Sequence, residues 1–379
     1  MFSTNKAPLP QAKLKPPAQL PTLAKTPQKL GVLVGHDPHN KPIHWSPFSL
    51  PNGHITGIGA SGMGKTQTLK GLVYSLLEIY PALRIVMTDL HGDLAIPGET
   101  CYQLSRTSPD GINLLAIDLD PAGGGPKIQM QAIATLLEKQ YKLGTSQKSA
   151  LKDIIRHCYA QRGIFDKHAQ TWQNEPPTFA QVEAELNQRI EEAESAKERN
   201  TLNALHDKLS DVFTYGIFSK PQPDMFSPRL VRIDLSPLAK VDGLQAIATN
   251  SIAKQLLDRH RLLGEGNSEK RYLMVDESRT LAGSRQADDI LRDGRKFGLS
   301  LGLFSQMIED LSPAAISNAS SLLVLGVTPA DLSKVSRKFR FAEAKVAALK
   351  PLEALCRFGN QSHHVAVVPY FQRVEIQAE

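Results

Sequence analysis

The chain has 379 residues, 41% of them hydrophobic, enough apolar side chain for one full core and a second, smaller one. Its longest apolar runs, such as Leu322 to Leu325 and Tyr272 to Val275, fall far short of the roughly 18 residues that cross a bilayer, so no integral membrane segment is expected. Three widely spaced cysteines, Cys101, Cys158 and Cys356, form no C-x-x-C pair; this argues against a zinc knuckle or a disulfide framework and suits a reducing cytoplasm. The formal net charge of +6 is concentrated in residues 1–30, which hold five lysines and no acid. The remainder is nearly neutral, so overall charge assigns no DNA-binding surface to the folded part.

From the N-terminus, residues 1–30 carry six prolines, including Pro16-Pro17, and lack the apolar core of a signal peptide. They read as an extended or disordered tether. Gly31 to Pro51, with a polar Asp37-Pro38-His39-Asn40 turn, reads as a hairpin and a small flap leading into the core. His54 to Ile58 is a short strand, and a glycine-rich loop follows it. Helical spacing then runs over Gln67 to Tyr80 until Pro81 stops it, and a second strand, Arg84 to Thr88, ends at Asp89. This strand, loop, helix, strand order predicts an α/β fold with a mainly parallel sheet and right-handed crossovers.

After Gly123-Gly124-Gly125 the pattern changes to amphipathic helices around residues 128–143, 147–161 and 178–212, with Thr178 and Gln181 forming a capping box. The expected organisation is an arm over 1–30, the first part of a nucleotide-binding core over 31–124, an all-helical insertion over 125–215 and the second part of the core over 216–379. Strand signals return at Leu230 to Leu235, Tyr272 to Val275, Leu299 to Phe304, Leu322 to Val327 and His363 to Val368. Helical segments lie near Leu244 to Leu263 and Ala287 to Phe297.

The glycine-rich loop is Gly59-Ala60-Ser61-Gly62-Met63-Gly64-Lys65-Thr66, a P-loop pattern in its required setting between a strand and a helix. Its glycines allow backbone N–H groups to wrap phosphate, and the helix N-terminus that continues through Gln67 favours negative charge. Lys65 is expected to reach the β- and γ-phosphates of ATP, and Thr66 to ligate magnesium. The apolar run Tyr272-Leu273-Met274-Val275 delivers Asp276-Glu277 to the same sheet edge. Asp276 is expected to hold magnesium, and Glu277 to orient and deprotonate the attacking water.

Gln306, at the end of the Leu299 to Ser305 stretch, suits a γ-phosphate sensor or a water-positioning group, or simply caps the strand. Eleven residues earlier, Arg295 suits an arginine finger donated to a neighbouring subunit, or a solvated helix end. In Asp89-Leu90-His91-Gly92-Asp93 the residue types suit metal, yet no distant partner accompanies them; the turn reads better as Asp89 and Asp93 linking the nucleotide site to moving parts.

With these pieces in order, the sequence resembles the HerA/FtsK superfamily of pumping ATPases, which includes conjugative coupling proteins and secretion ATPases. The residues that carry the resemblance are His54 to Thr66, Asp89 to Asp93, Val275-Asp276-Glu277, and Gly294-Arg295-Lys296-Phe297-Gly298 leading to Gln306. The resemblance implies a RecA-like P-loop NTPase fold with an inserted all-helical domain and Walker A and Walker B motifs. It also implies hexameric rings that thread DNA or protein, with the arginine finger acting between subunits. Compact motors of this type occur beside DNA-modification and defence genes, including phosphorothioation systems, so by analogy of fold the resemblance implies a motor subunit serving partner DNA-processing proteins in DNA modification or anti-phage defence. A DNA-translocating ATPase is therefore the leading expectation, beside an ATP-dependent assembly scaffold and a conjugation or secretion motor. An ABC-type ATPase is disfavoured because no Leu-Ser-Gly-Gly-Gln signature occurs.

Overall fold

The computed structural model describes residues 31–378, so the arm expected over 1–30 lies outside the described residues. In chain order, β1 (Val32–His36), β2 (Pro42–Trp45) and β3 (Ile55–Ile58) lead into α1 (Lys65–Ile79), β4 (Arg84–Asp89) and β5 (Thr100–Gln103). Four helices follow: α2 (Pro126–Tyr141), α3 (Thr145–Gln161), α4 (Phe179–Glu192) and α5 (Ala196–Tyr215). Strands and helices then alternate as β6 (Leu230–Asp234), α6 (Leu244–Leu262), β7 (Arg271–Val275), α7 (Arg285–Asp293), β8 (Leu299–Ser305), α8 (Pro313–Ser317) and β9 (Ser321–Val324). The chain ends with α9 (Pro329–Phe339), α10 (Glu343–Ala347), β10 (Glu353–Phe358), β11 (Gln361–Val367) and α11 (Tyr370–Ala378).

The strands form one sheet in the order β2-β1-β11-β10-β9-β3-β8-β7-β4-β6-β5. From β9 to β5 every neighbouring pair is parallel, and β10, β11, β1 and β2 extend the sheet antiparallel. This is the α/β, RecA-like P-loop architecture. The strand that launches the phosphate loop, β3, lies between β8 and β9, and β7 lies between β8 and β4. Parallel strands place their carboxyl ends on one edge, where ligands of open α/β sheets bind.

Residue alternation divides the core into two faces. Tyr272 and Met274 of β7 join Ile85 and Met87 of β4 in a cluster with Leu69, Leu72, Val73 and Leu76 of α1. Leu273, Val275 and Val86 pack on the opposite side with residues of α2 to α7. A period of two thus turns Asp276, next after Val275, toward the α1 side, where Lys65 lies.

Several expectations change. The hairpin read as a flap is the sheet's own margin: Gly35 of β1 pairs with Val367 of β11, and the fully buried Trp45 donates its Nε1–H to Ser321 Oγ at 2.9 Å. The helical stretch over 178–212 is two helices, because Ser195 caps α5 by accepting from Glu198 N at 3.2 Å. The helix expected to run to Phe297 ends at Asp293 and tightens into a 3₁₀ turn over Gly294–Phe297. The Thr178 cap itself is present, with Thr178 N donating to Gln181 Oε1 at 2.7 Å and Ala180 N to Thr178 Oγ1 at 3.3 Å. Among the described residues no helix is long and apolar enough to cross a membrane.

Candidate nucleotide site

The phosphate loop hangs from the carboxyl ends of its neighbours. Gly59 N donates to Ser305 O at 3.0 Å and Ala60 N to Gly326 O at 2.8 Å, so β8 and the segment after β9 set its position. Gly62 and Gly64 have φ of 79° and 92°, a region that β-carbons disfavour. Gly64 is doubly constrained, since a Cβ there would stand 2.5 Å from Leu352 Cδ2. The backbone N–H groups of Gly62, Gly64, Lys65 and Thr66 donate to no protein acceptor among the described residues. Ser61 is exposed, and Met63 packs beneath Gly326. Four free N–H donors at the start of a 15-residue helix make a concentrated anion site. Within the first turn of that helix, Gln67 has a buried Oε1 without a partner among the described residues.

Lys65 Nζ donates to Asp276 O at 2.8 Å and lies 2.9 Å from Asp276 Oδ1 and 3.7 Å from Glu277 Oε2. All three side chains are buried. One ammonium thus faces two carboxylates, an uncompensated negative charge that favours a further cation. Glu277 is met at both oxygens: Gln306 Nε2 donates to Oε2 at 3.2 Å, and the Ser305 hydroxyl, whose one proton is shared between Met307 O at 3.0 Å and Glu277 Oε1 at 3.3 Å, lies against Oε1. Gln306 therefore touches the residue expected to act as base. Ser305, which sequence reasoning took only as part of a strand, is fully buried and also lies 3.4 Å from Asp310 Oδ2. Its one sequence signal was a hydroxyl at the carboxyl end of an apolar strand beside Gln306.

Asp89 and Asp93 occupy different settings. Asp89 is fully buried and organises its turn by accepting from His91 N, Gly92 N and Leu94 N at 3.2, 2.7 and 3.0 Å. It also pairs with Arg232 Nη1 at 3.0 Å, and Arg232 Nε reaches Glu99 Oε1 at 2.7 Å. Asp93 is exposed and accepts from Thr66 Oγ1 at 3.3 Å, while its carbonyl accepts from Lys70 Nζ at 3.2 Å. That turn therefore reaches the magnesium-ligand candidate directly. Arg295 lies elsewhere: it is exposed, in the turn before β8, at the sheet edge opposite the phosphate loop. Phe297 O accepts from Asn267 Nδ2 and meets His260 Nδ1, both at 2.8 Å, and Lys296 O accepts from Gly266 N at 2.9 Å, so the turn is clamped.

Phosphate loop, buried Lys65, strand-end Asp276-Glu277 and Gln306 on a RecA-like parallel sheet define a P-loop NTPase. Residues 50–258 match the family model described as "Helicase HerA, central domain". The chain belongs to this HerA family of P-loop ATPases. No curated protein sequence matches it.

Among solved structures it is similar to VirB4 of Thermoanaerobacter pseudethanolicus, with 20% identity and a TM-score of 0.75 over 89% of this chain and 96% of that one. It is also similar to the plasmid coupling protein TrwB in complex with the non-hydrolysable ATP analogue ADPNP, with 18% identity and a TM-score of 0.58 over 83% of this chain and 85% of that one. TrwB in complex with ADP and Mg2+ matches at 18% identity and a TM-score of 0.56, over 83% and 86%. At such identities the likeness is one of fold.

Proposed function

We propose that the chain is a magnesium-dependent ATPase that moves DNA as a subunit of a homo-oligomeric, hexameric ring, serving a partner enzyme in DNA modification such as phosphorothioation or in anti-phage defence. The observation that carries the reading is Lys65, Asp276, Glu277 and Gln306 meeting in one hydrogen-bonded cluster at the phosphate loop of a HerA-family chain. The nucleotide and metal seen in complexes with TrwB support ATP and Mg2+ as ligands. Thr66 and Asp276 supply hard oxygen donors, and Asp93 accepts from the Thr66 hydroxyl. Among the described residues no group of three or more His, Cys, Asp or Glu side chains is placed to hold a metal alone. That combination suits magnesium, which binds by one or two carboxylates together with substrate phosphates.

Magnesium, when bound, neutralises charge that develops on the transferred phosphoryl group. Lys65, bonded here to Asp276, would turn to phosphate when nucleotide is bound, and the Asp276 carboxylate would then be free to hold the metal. Glu277, held at both oxygens by Ser305 and Gln306, takes the proton of the attacking water. The division into core halves over 31–124 and 216–379 around a helical insertion over 125–215 is part of this proposal.

ATP turnover with and without duplex and single-stranded DNA tests the reading, alongside mass measurement with nucleotide bound. DNA-stimulated turnover by an oligomer is expected; nucleotide-driven assembly with turnover indifferent to DNA would favour an assembly scaffold instead. A conjugation or secretion motor is the second reading, favoured by the extent of the fold match to VirB4.

A further inference from the structure

The near-neutral charge of the folded part conceals a local concentration. Residues 334–350 contain six basic residues and one acidic residue, Glu343. They form α9, α10 and the adjoining turns, and they divide by face. Val335, Phe339, Val346 and Leu349 are buried in the core beneath the sheet. Arg337, Lys338, Arg340, Lys345 and Lys350 are all exposed and form no ion pair among the described residues. Arg357 of β10 joins them in space, its guanidinium 5.6 Å from the centre of the Phe341 ring. Burial, and then the positive charge of Arg340, pull the Arg357 guanidinium below the usual arginine range. Like charges held this close repel one another until an anion meets them.

The same segment touches the nucleotide site at two points. Lys334 Nζ pairs with Glu309 Oε1 at 2.5 Å, in the stretch that carries Gln306 and Asp310. Leu352 N donates to Met63 O at 3.2 Å, and the Leu352 side chain lies against Gly64. Basic charge on one side and contacts to the nucleotide-site loops on the other link this element's outer face to the residues around Gln306 and Gly64.

We propose that the outer face of α9, α10 and their flanking turns binds the phosphate backbone of DNA. This rests on the proposed DNA motor and locates its contact surface. The ligand chemistry is a phosphodiester chain, met by side-chain charge without base reading, so affinity falls steeply with salt and varies little with sequence.

The test compares the full chain with the triple variant R337Q/K338Q/K345Q, using fluorescent duplex and single-stranded oligonucleotides over a salt series. Removal of three phosphate contacts is expected to weaken binding roughly tenfold or more at low salt, and to reduce the slope of log affinity against log salt by about 2 to 3. DNA stimulation of ATP turnover is expected to fall with it. The charge-preserving variant R337K/K338R keeps binding and slope, and circular dichroism with turnover in the absence of DNA reports that the fold and nucleotide site are intact. Wild-type binding with an unchanged affinity and slope in the triple variant overturns this assignment while leaving the DNA motor standing. Wild type that neither binds nor responds to DNA overturns both. Loss of oligomer mass in the triple variant, with DNA affinity retained, identifies the face as a contact between copies of the chain and likewise overturns it.

Discussion

Glu277 shows how a single side chain is prepared for chemistry. Its carboxylate is buried beside Lys65 and held by Ser305 and Gln306, which would position the proposed proton acceptor before substrate arrives. Glu277→Gln keeps the size and removes the base; ATP binding is expected to persist while hydrolysis falls roughly 100-fold or more. Ser305→Ala removes one hydrogen bond, about 1 kcal/mol, so kcat is expected to fall about fivefold with KM for ATP unchanged. Steady-state kinetics separates these, and a matching loss of ATP affinity in Ser305→Ala would make that residue a scaffold rather than a positioner. His54 is a second prepared side chain: its Nδ1 accepts from Leu301 N at 3.0 Å, and burial lowers its pKa from 6.5 to about 4. The unfolded chain therefore binds a proton that the folded one refuses as pH falls from 6.5 toward 4, so stability contributed by this residue is present above that window and lost through it. Denaturant titrations at pH 7 and pH 5 should show a larger drop for wild type than for His54→Gln.

At the scale of elements, the turn after β4 illustrates division of labour within five residues. Asp89 spends its oxygens on three backbone N–H groups and Arg232, which fixes the turn, and the fixed turn presents Asp93 to Thr66. A carboxylate accepting the Thr66 proton directs that hydroxyl's lone pairs toward a metal, as outer-shell partners of metal ligands do. Asp93→Asn is expected to raise the magnesium concentration at half-maximal turnover roughly tenfold. Nucleotide affinity measured without metal should stay the same; a parallel loss there would count against a metal-orienting role. Elements were legible in the sequence where their signals were local. The P-loop, the helix after it and the buried β7 run followed from spacing and from a continuous apolar stretch. The break between α4 and α5 was missed because apolar periodicity continues across it, although Ser195 followed by Glu198 is a start signal. Of the β10–β11 hairpin only the second strand is read from the sequence, as His363 to Val368, although Gly359-Asn360 between Phe358 and Gln361 suits a two-residue turn that would have pointed to β10.

For the whole molecule the question is how subunits cooperate, and Arg295 supplies the argument. It projects from a clamped, exposed turn at the edge opposite its own phosphate loop, so within one chain it is remote from the γ-phosphate site. In the proposed ring of like-oriented subunits, that edge can face a neighbour's nucleotide site. Lys65→Ala is expected to lose tight ATP binding, and Arg295→Ala to bind ATP yet hydrolyse it slowly. Mixing the two should restore part of the activity, because some interfaces then pair an intact Lys65 with an intact Arg295. Unrecovered turnover in rings shown by mass to be mixed sinks action between subunits. Sequence by itself determined the phosphate loop, the Asp276-Glu277 pair, the parallel character of the sheet and the helical segment that follows β5, since each is written in residue types and periods a few positions long. Tertiary structure decided that Ser305 and Asp93 stand beside Glu277 and Thr66, that the first hairpin closes the sheet's far margin, and that the segment with the basic outer face is followed by Leu352, which contacts the nucleotide loop. Those depend on which strand ends become neighbours and on which face of a helix is buried, and pairing between distant parts of the chain sets both.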